Sequence, residues 1–175
     1  MGLASFAARL RRSEDGVAAI ELSMVGAMFC FGILNVAELS RYAFCEMQDS
    51  TATQMGVAAA LAACDVAHLP ATQNCSGLNA AVTTAVQSTS LGTKVTLNGP
   101  LSEGYYCVSG TGALTSVGGP TSPPSDCSGA NNAAGKPALY LKLATSYTYT
   151  PMFGSVTVVG ALPHQFNRTA WTRMQ

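Results

Sequence analysis

Charge is scarce in this chain. Only 10% of its 175 residues are Asp, Glu, Lys or Arg, and the nine basic side chains balance nine acidic ones. With no net field of either sign, nothing steers the protein toward nucleic acid or a strongly anionic surface. Lys and Arg are also too scattered for a basic–aromatic patch, so nucleic acid is not expected as a partner. Histidine occurs twice, and none of the six cysteines forms a CxxC pair, which argues against structural zinc. GxSxG, P-loop, GxGxxG and HExxH patterns are all missing. His68 and His164 border loop signals, and Asp65 and Asp126 read as turn residues. No catalytic constellation and no cofactor are therefore expected, and the chain reads as a non-enzyme. What fills the composition instead is apolar: 48% of residues, with a mean hydropathy of +0.25. That level excludes intrinsic disorder, and the length suits one domain.

The apolar residues are concentrated near the N-terminus. Arg9, Arg11 and Arg12 precede Glu14, Asp15 and Gly16; from Val17 to Ala37 Glu21 is the sole charge, and Leu22 to Ala37 carries none. Twenty-one helical residues span about 30 Å, one hydrocarbon core. Basic residues on the N-terminal side predict that this end stays cytoplasmic and the remainder crosses outward. A cleavable secretory signal needs a small-residue site just after the run, and Glu38-Leu39-Ser40-Arg41-Tyr42 offers none. A plain signal anchor accounts for the hydropathy but not for Glu21, because an unpartnered carboxylate one turn into a bilayer costs about 2–3 kcal/mol.

The stretch Gly16-Val17-Ala18-Ala19-Ile20-Glu21-Leu22 behind a basic leader resembles the class III signal of the type IV pilin superfamily. That resemblance implies cleavage between Gly16 and Val17 by a prepilin peptidase, leaving Glu21 as the fifth residue of the mature chain. It also assigns Glu21 a role: neutralising a Val17 amine in its own or a neighbouring subunit and setting axial register. Val-Ala-Ala-Ile-Glu-Leu, with Glu38 and Arg41 just past the run, is most similar to the TadE-like pseudopilins of tight-adherence (Tad) pili. Leu22 replaces that family's usual aromatic, and Ser40 stands where glycine is common. The likeness covers residues 9 to about 45. It implies a minor pilin acting in pilus initiation and adhesion, in the bacterial inner membrane, single-pass, with a periplasmic C-terminal domain that enters the extracellular pilus on assembly. Its partners would be the prepilin peptidase, other pilins or pseudopilins, and the inner-membrane assembly platform. The alternatives are a minor pseudopilin of a type II secretion system or classical type IV pilus, and an uncleaved single-pass anchor presenting a binding domain.

No proline occurs before Pro70, and helix formers continue past the apolar run. The sequence predicts one helix from about Val17 to Cys64, its outer half (38–64) presenting a stripe of Ala52, Ala59 and Ala63 to a sheet. Leu61-Ala62-Ala63-Cys64 matches a lipoprotein box but lies too far from the N-terminus to close a signal. Beyond it, residues 65–175 read as a separate outer region. Leu78 to Val86 suits a short helix; Lys94–Leu97 and Tyr105–Val108 suit strands around a turn at Gly99-Pro100. Gly110 to Lys136 reads as a surface loop, and the alternation from Leu139 to Tyr149 as a half-buried strand. Gly154–Ala161 and Phe166–Met174 are the remaining strand candidates. The expected architecture is α+β: a leader (1–16), a long helix (17–64, with 17–37 in the membrane) packed on a small antiparallel meander, and an outer domain (65–175).

Outside a reducing cytoplasm, disulfides are the natural use of cysteine. Cys64, Cys75, Cys107 and Cys127 allow three pairings, of which Cys64–Cys75 and Cys107–Cys127 are expected, the second closing the Gly/Pro-rich loop. Cys30 falls in the apolar run as a reduced thiol; Cys45 reads as a buried thiol or an intersubunit crosslink. Asn74-Cys75-Ser76 and Asn167-Arg168-Thr169 match the glycosylation pattern by chance.

Overall fold

The computed structural model describes residues 14–132 and 134–175. Among the described residues the first element is one long helix, α1 (Glu14–Ala63). Fifty residues without a proline run about 75 Å at the standard rise. Two short helices follow, α2 (Ala71–Asn74) and α3 (Leu78–Val86). Five strands complete the order: β1 (Val95–Leu97), β2 (Ser102–Val108), β3 (Leu114–Gly118), β4 (Ala138–Thr148) and β5 (Gln165–Arg173). The arrangement is α+β, a long apolar N-terminal helix whose later turns pack on a five-stranded antiparallel sheet. Two compact units divide it: residues 1–42 with 151–162, and residues 43–150 with 163–175.

The larger unit is organised by β4. Every strand but β3 pairs with it, and all pairs are antiparallel. β5 runs beside one edge of β4, from Tyr140↔Arg173 to Thr148↔Gln165. The other edge is shared: β2 takes residues 138–142 and β1 takes 145–147. The sheet is thus not the expected meander. Gly99-Pro100 does not turn the chain back; β1 and β2 run the same way along β4. The four residues 98–101 bulge out where only Leu143 and Ala144 lie opposite. Asn98 N–H still reaches Ala144 O at 2.8 Å, with Gly99 at φ +91°. Proline, lacking an N–H, is tolerated at such a bulge.

Period-two burial on β4 defines the core: Leu139, Leu141, Leu143, Thr145 and Tyr147 are buried, and the residues between them are half-exposed. Against this face lies the stripe Cys45, Asp49, Ala52, Thr53, Gly56 and Ala60 of α1, continued by Cys64 just past its end and recurring every three or four residues as one helix face must. The expected alanine stripe is only partly right: Ala52 is buried, Ala59 is half-buried and Ala63 is exposed. The packing line is centred instead on Gly56, where a Cβ would meet Leu143 Cδ2 at 2.5 Å and Val86 Cγ2 at 2.6 Å. α3 buries Leu78, Val82 and Val86, spaced four apart, on the same core.

Two other expectations need correction. The stretch 110–136 is not loop throughout, since Leu114–Gly118 forms β3 on β2; only Leu114 and Val117 carried a weak alternation there. Gly154–Ala161 is not a strand but two 3-10 turns, Gly154–Val156 and Val158–Ala161. Its β-branched content suggested a strand, yet Gly154 at φ +58° breaks extension and the local N–H groups bond within the segment. The leader residues 1–13 lie outside the described residues.

Gly56→Ala gains about 1 kcal/mol of helix propensity, while overpacking a closed contact costs about 1–3 kcal/mol. Because both clashing atoms belong to buried side chains, Gly56→Ala is expected to be net destabilising by about 1 kcal/mol and Gly56→Leu to unfold the sheet unit. Denaturant unfolding of the full chain in detergent, followed by circular dichroism, measures both.

Candidate processing and assembly segment

The first half of α1 carries the residues singled out by sequence. Gly16 sits in its first turn, followed by Val17 and, one turn on, Glu21, all exposed. The Gly16–Val17 bond is therefore helical here, not extended. Among the described residues Glu21 has no ion-pair partner, and it stands alone on an apolar surface. Leu22, Met24, Met28 and Phe29 are each at least 70% exposed, far beyond what a single apolar residue at a water-facing surface requires. One helix, Gly16–Ala63, is long and apolar enough to cross a membrane. Where Gly32 lacks a side chain, Val25, Met28, Phe29, Ile33 and Val36 line a shallow apolar groove. A Cβ at Gly26 or Gly32 would meet nothing within 4 Å, so neither glycine serves close packing inside the chain.

Sequence reasoning missed what lies at the far end of the apolar run. Asn35 and Glu38, one helical turn apart, both receive backbone donors from the segment 151–162. Val158 N–H donates to Asn35 Oδ1 at 2.9 Å and Met152 N–H to Glu38 Oε1 at 3.0 Å. Asn35 also donates from Nδ2 to Phe31 O. Glu38 is 1% exposed, with the Arg41 guanidinium 4.0 Å from its Oε1. A legible signal existed: residues 143–163 contain no charge.

The sheet unit holds a second polar group of note. Thr53 Oγ1 and Thr145 Oγ1 lie 2.6 Å apart, and Thr145 donates to Asp49 Oδ1 at 3.4 Å. Asp49 is fully buried, and among the described residues its Oδ2 has no hydrogen-bond partner. Burial raises its carboxyl above the usual range, opposed by the Thr145 hydrogen bond and the Arg168 charge. Arg168 itself bonds Glu46. Cys45 is buried and accepts from Tyr147 Oη at 3.7 Å, which makes it a core thiol rather than an accessible crosslink.

Of the three pairings open to the other cysteines, the structure has Cys64–Cys75 and Cys107–Cys127, closing 11 and 20 residues. In the chain-entropy treatment each contributes about 3 kcal/mol by limiting the unfolded chain. Cys64, bonded in this way, is not a lipidation site. The second disulfide packs with Ala130 and Val117. Asp126 caps its own turn, with Ser128 N–H donating to Oδ1 at 3.0 Å, and the Ser128 hydrogen bonds hold its carboxyl below the usual range. Glu103 caps α2 from across the sequence, accepting from Ala71 N–H and Thr72 N–H. Cys30 is exposed on the apolar half of α1. Among the described residues no group of three His, Cys, Asp or Glu side chains could hold a metal. His68 and His164 lie in connecting segments.

The chain matches no protein-family model, no curated protein and no solved structure. What fold and site define together is a class: an α+β chain whose core-packed helix extends into an exposed, membrane-length apolar segment bearing one carboxylate.

The raised Asp49 gives a pH signature. A carboxyl whose folded pKa exceeds the unfolded value near 3.8 favours folding most below that value, and the advantage is lost as pH rises through the folded pKa. Asp49→Asn removes the charged form, so its stability relative to the wild type should increase from pH 4 to pH 7. Urea midpoints at the two pH values measure this; an unchanged difference would show that Asp49 titrates normally.

Proposed function

We propose that this chain is a TadE-like minor pseudopilin of a Tad-type pilus, cut after Gly16 by a prepilin peptidase and acting in pilus initiation and adhesion from the bacterial inner membrane. The observation that carries the reading is Glu21: one carboxylate, five residues beyond the Gly16–Val17 bond, in the otherwise uncharged and largely exposed apolar stretch Val17–Ala37. Burying such a charge in lipid without a partner is unfavourable by about 2–3 kcal/mol. Cleavage after Gly16 would create a compensating amine at Val17, available to a neighbouring subunit when helices associate. The remaining apolar surface of α1 would then hold the helices together, with the groove around Gly32 admitting a neighbour's side chains. The outer half of α1 carries the sheet unit, and its disulfides suit an oxidising compartment.

A second reading has one observation in its favour. The disulfide-closed sheet unit would equally serve as a binding domain displayed by an uncleaved single-pass anchor.

Determining the N-terminus of the protein from native envelopes, with and without the prepilin peptidase, separates the two. A peptidase-dependent start at Val17 is expected; an intact leader in both strains would establish the anchor and end the pilin reading. Given cleavage, Glu21→Ala should leave membrane insertion unchanged and reduce piliation by tenfold or more (about 1.4 kcal/mol or more per subunit contact), counted by electron microscopy. Normal piliation would remove Glu21 from the assembly step.

A further inference from the structure

The segment Pro151–Leu162 belongs to the same compact unit as the apolar half of α1, and its chemistry is unlike that of a surface loop. It contains no charge, and Met152, Phe153, Val156, Val158 and Leu162 are all exposed, from 36% to 65%. Its inward side is supplied by Thr157 and Val159, both buried. Five of its N–H groups are tied down. Met152 and Val158 donate to Glu38 and Asn35. Val156, Gly160 and Leu162 donate to Phe153 O, Thr157 O and Val159 O. These bonds fix the segment's shape against α1 and leave its apolar side chains outward.

The two helix acceptors also set its depth. Asn35 and Glu38 bracket Ala37, the end of the run that matches one hydrocarbon thickness, and Arg41 follows one turn later with a half-exposed guanidinium. On the membrane reading of α1, a segment held at positions 35–38 would lie where acyl chains give way to headgroups.

We propose that Pro151–Leu162 is a second membrane contact, an uncharged strap that α1 holds at the outer boundary of the bilayer so that Met152, Phe153 and Val156 enter the lipid. The proposal rests on the membrane reading of α1. Lipid, rather than another protein chain, is the occupant because the exposed patch is itself uncharged and continues the apolar surface of the span in the same compact unit. The strap would fix how far α1 can slide or rotate in the bilayer, which a uniformly apolar helix cannot do for itself.

The test uses the full chain with Trp171→Phe, reconstituted in phosphatidylcholine–phosphatidylglycerol vesicles, with one tryptophan added as Phe153→Trp, Phe29→Trp or Thr121→Trp. Lipids brominated near the headgroup or near the chain end quench tryptophan at matching depth. Phe153→Trp should be blue-shifted and lose more emission to the headgroup-proximal bromine; Phe29→Trp should show the reverse order, and Thr121→Trp no loss. Quenching at 29 but not at 153 would overturn the strap and leave the span standing. Absence at both would overturn the membrane reading, and the strap with it. A blue-shifted Phe153→Trp that no bromine quenches would mean that protein covers the segment, again overturning the proposal. Retaining Trp171 and subtracting its emission repeats the measurement in case Trp171→Phe perturbs folding through its contacts with Tyr106 and Lys142.

Discussion

Close approach between α1 and the sheet is the constraint on which the larger unit depends. At Gly56 the helix has no side chain, and the space a methyl group would need is already filled by Leu143 of β4 and Val86 of α3. That contact brings Thr53 to Thr145 and Cys45 to Tyr147. A larger residue at 56 would push these pairs apart and strand the Asp49 carboxyl, which Thr145 alone among described side chains supplies with a hydrogen bond. The sheet answers with strict alternation on β4, so that a leucine, a threonine or a tyrosine meets each turn of the helix. Apolar burial supplies the driving force here, but small residues decide where it acts.

The two halves of α1 obey different rules within one continuous element. From residue 43 onward, side chains sort into a buried stripe and an exposed remainder, as on any amphipathic helix. From Val17 to Ile33 the surface is apolar except for Glu21 and Ser23 and almost wholly exposed, so this stretch is stabilised by its own hydrogen bonds and not by packing. Serines and an asparagine on this half bond back to carbonyls four residues earlier, as Ser23 does to Ala19 and Asn35 to Phe31, which hides their polar atoms without any partner helix. Such a helix is suited to lipid or to copies of itself.

The elements visible in the sequence are those with a strong period or a strong punctuation signal. The long helix followed from absent proline, α3 from Leu78, Val82 and Val86, and β4 from its alternating leucines. What stayed hidden depends on pairing between distant segments. Gly99-Pro100 has the composition of a hairpin turn, and only the presence of β4 alongside makes it a bulge. The stretch 154–161 has strand-forming residues, but Gly154 turns it out of extension and the side chains of Asn35 and Glu38 take two of the segment's donors. β3 is five residues with two adjacent polar positions, too short for periodicity to speak. For the candidate segment, Gly16, Val17 and Glu21 stood out because a charge in an apolar run is conspicuous; Asn35 did not, since an amide near the end of an apolar run looks ordinary until its acceptor is seen in use.

The placement of β4 governs the order in which the chain can fold. It is the partner of β1, β2 and β5, so during synthesis only the β2–β3 hairpin has its mate nearby, and the rest of the sheet waits for residues 138–148. All four bridged cysteines come off the ribosome before that strand does. Oxidation can accordingly tether the end of α1 and the loop after β3 while the sheet is still without its centre. β4 then enters a chain whose two widest excursions are already closed, and finds its neighbours by a shorter search.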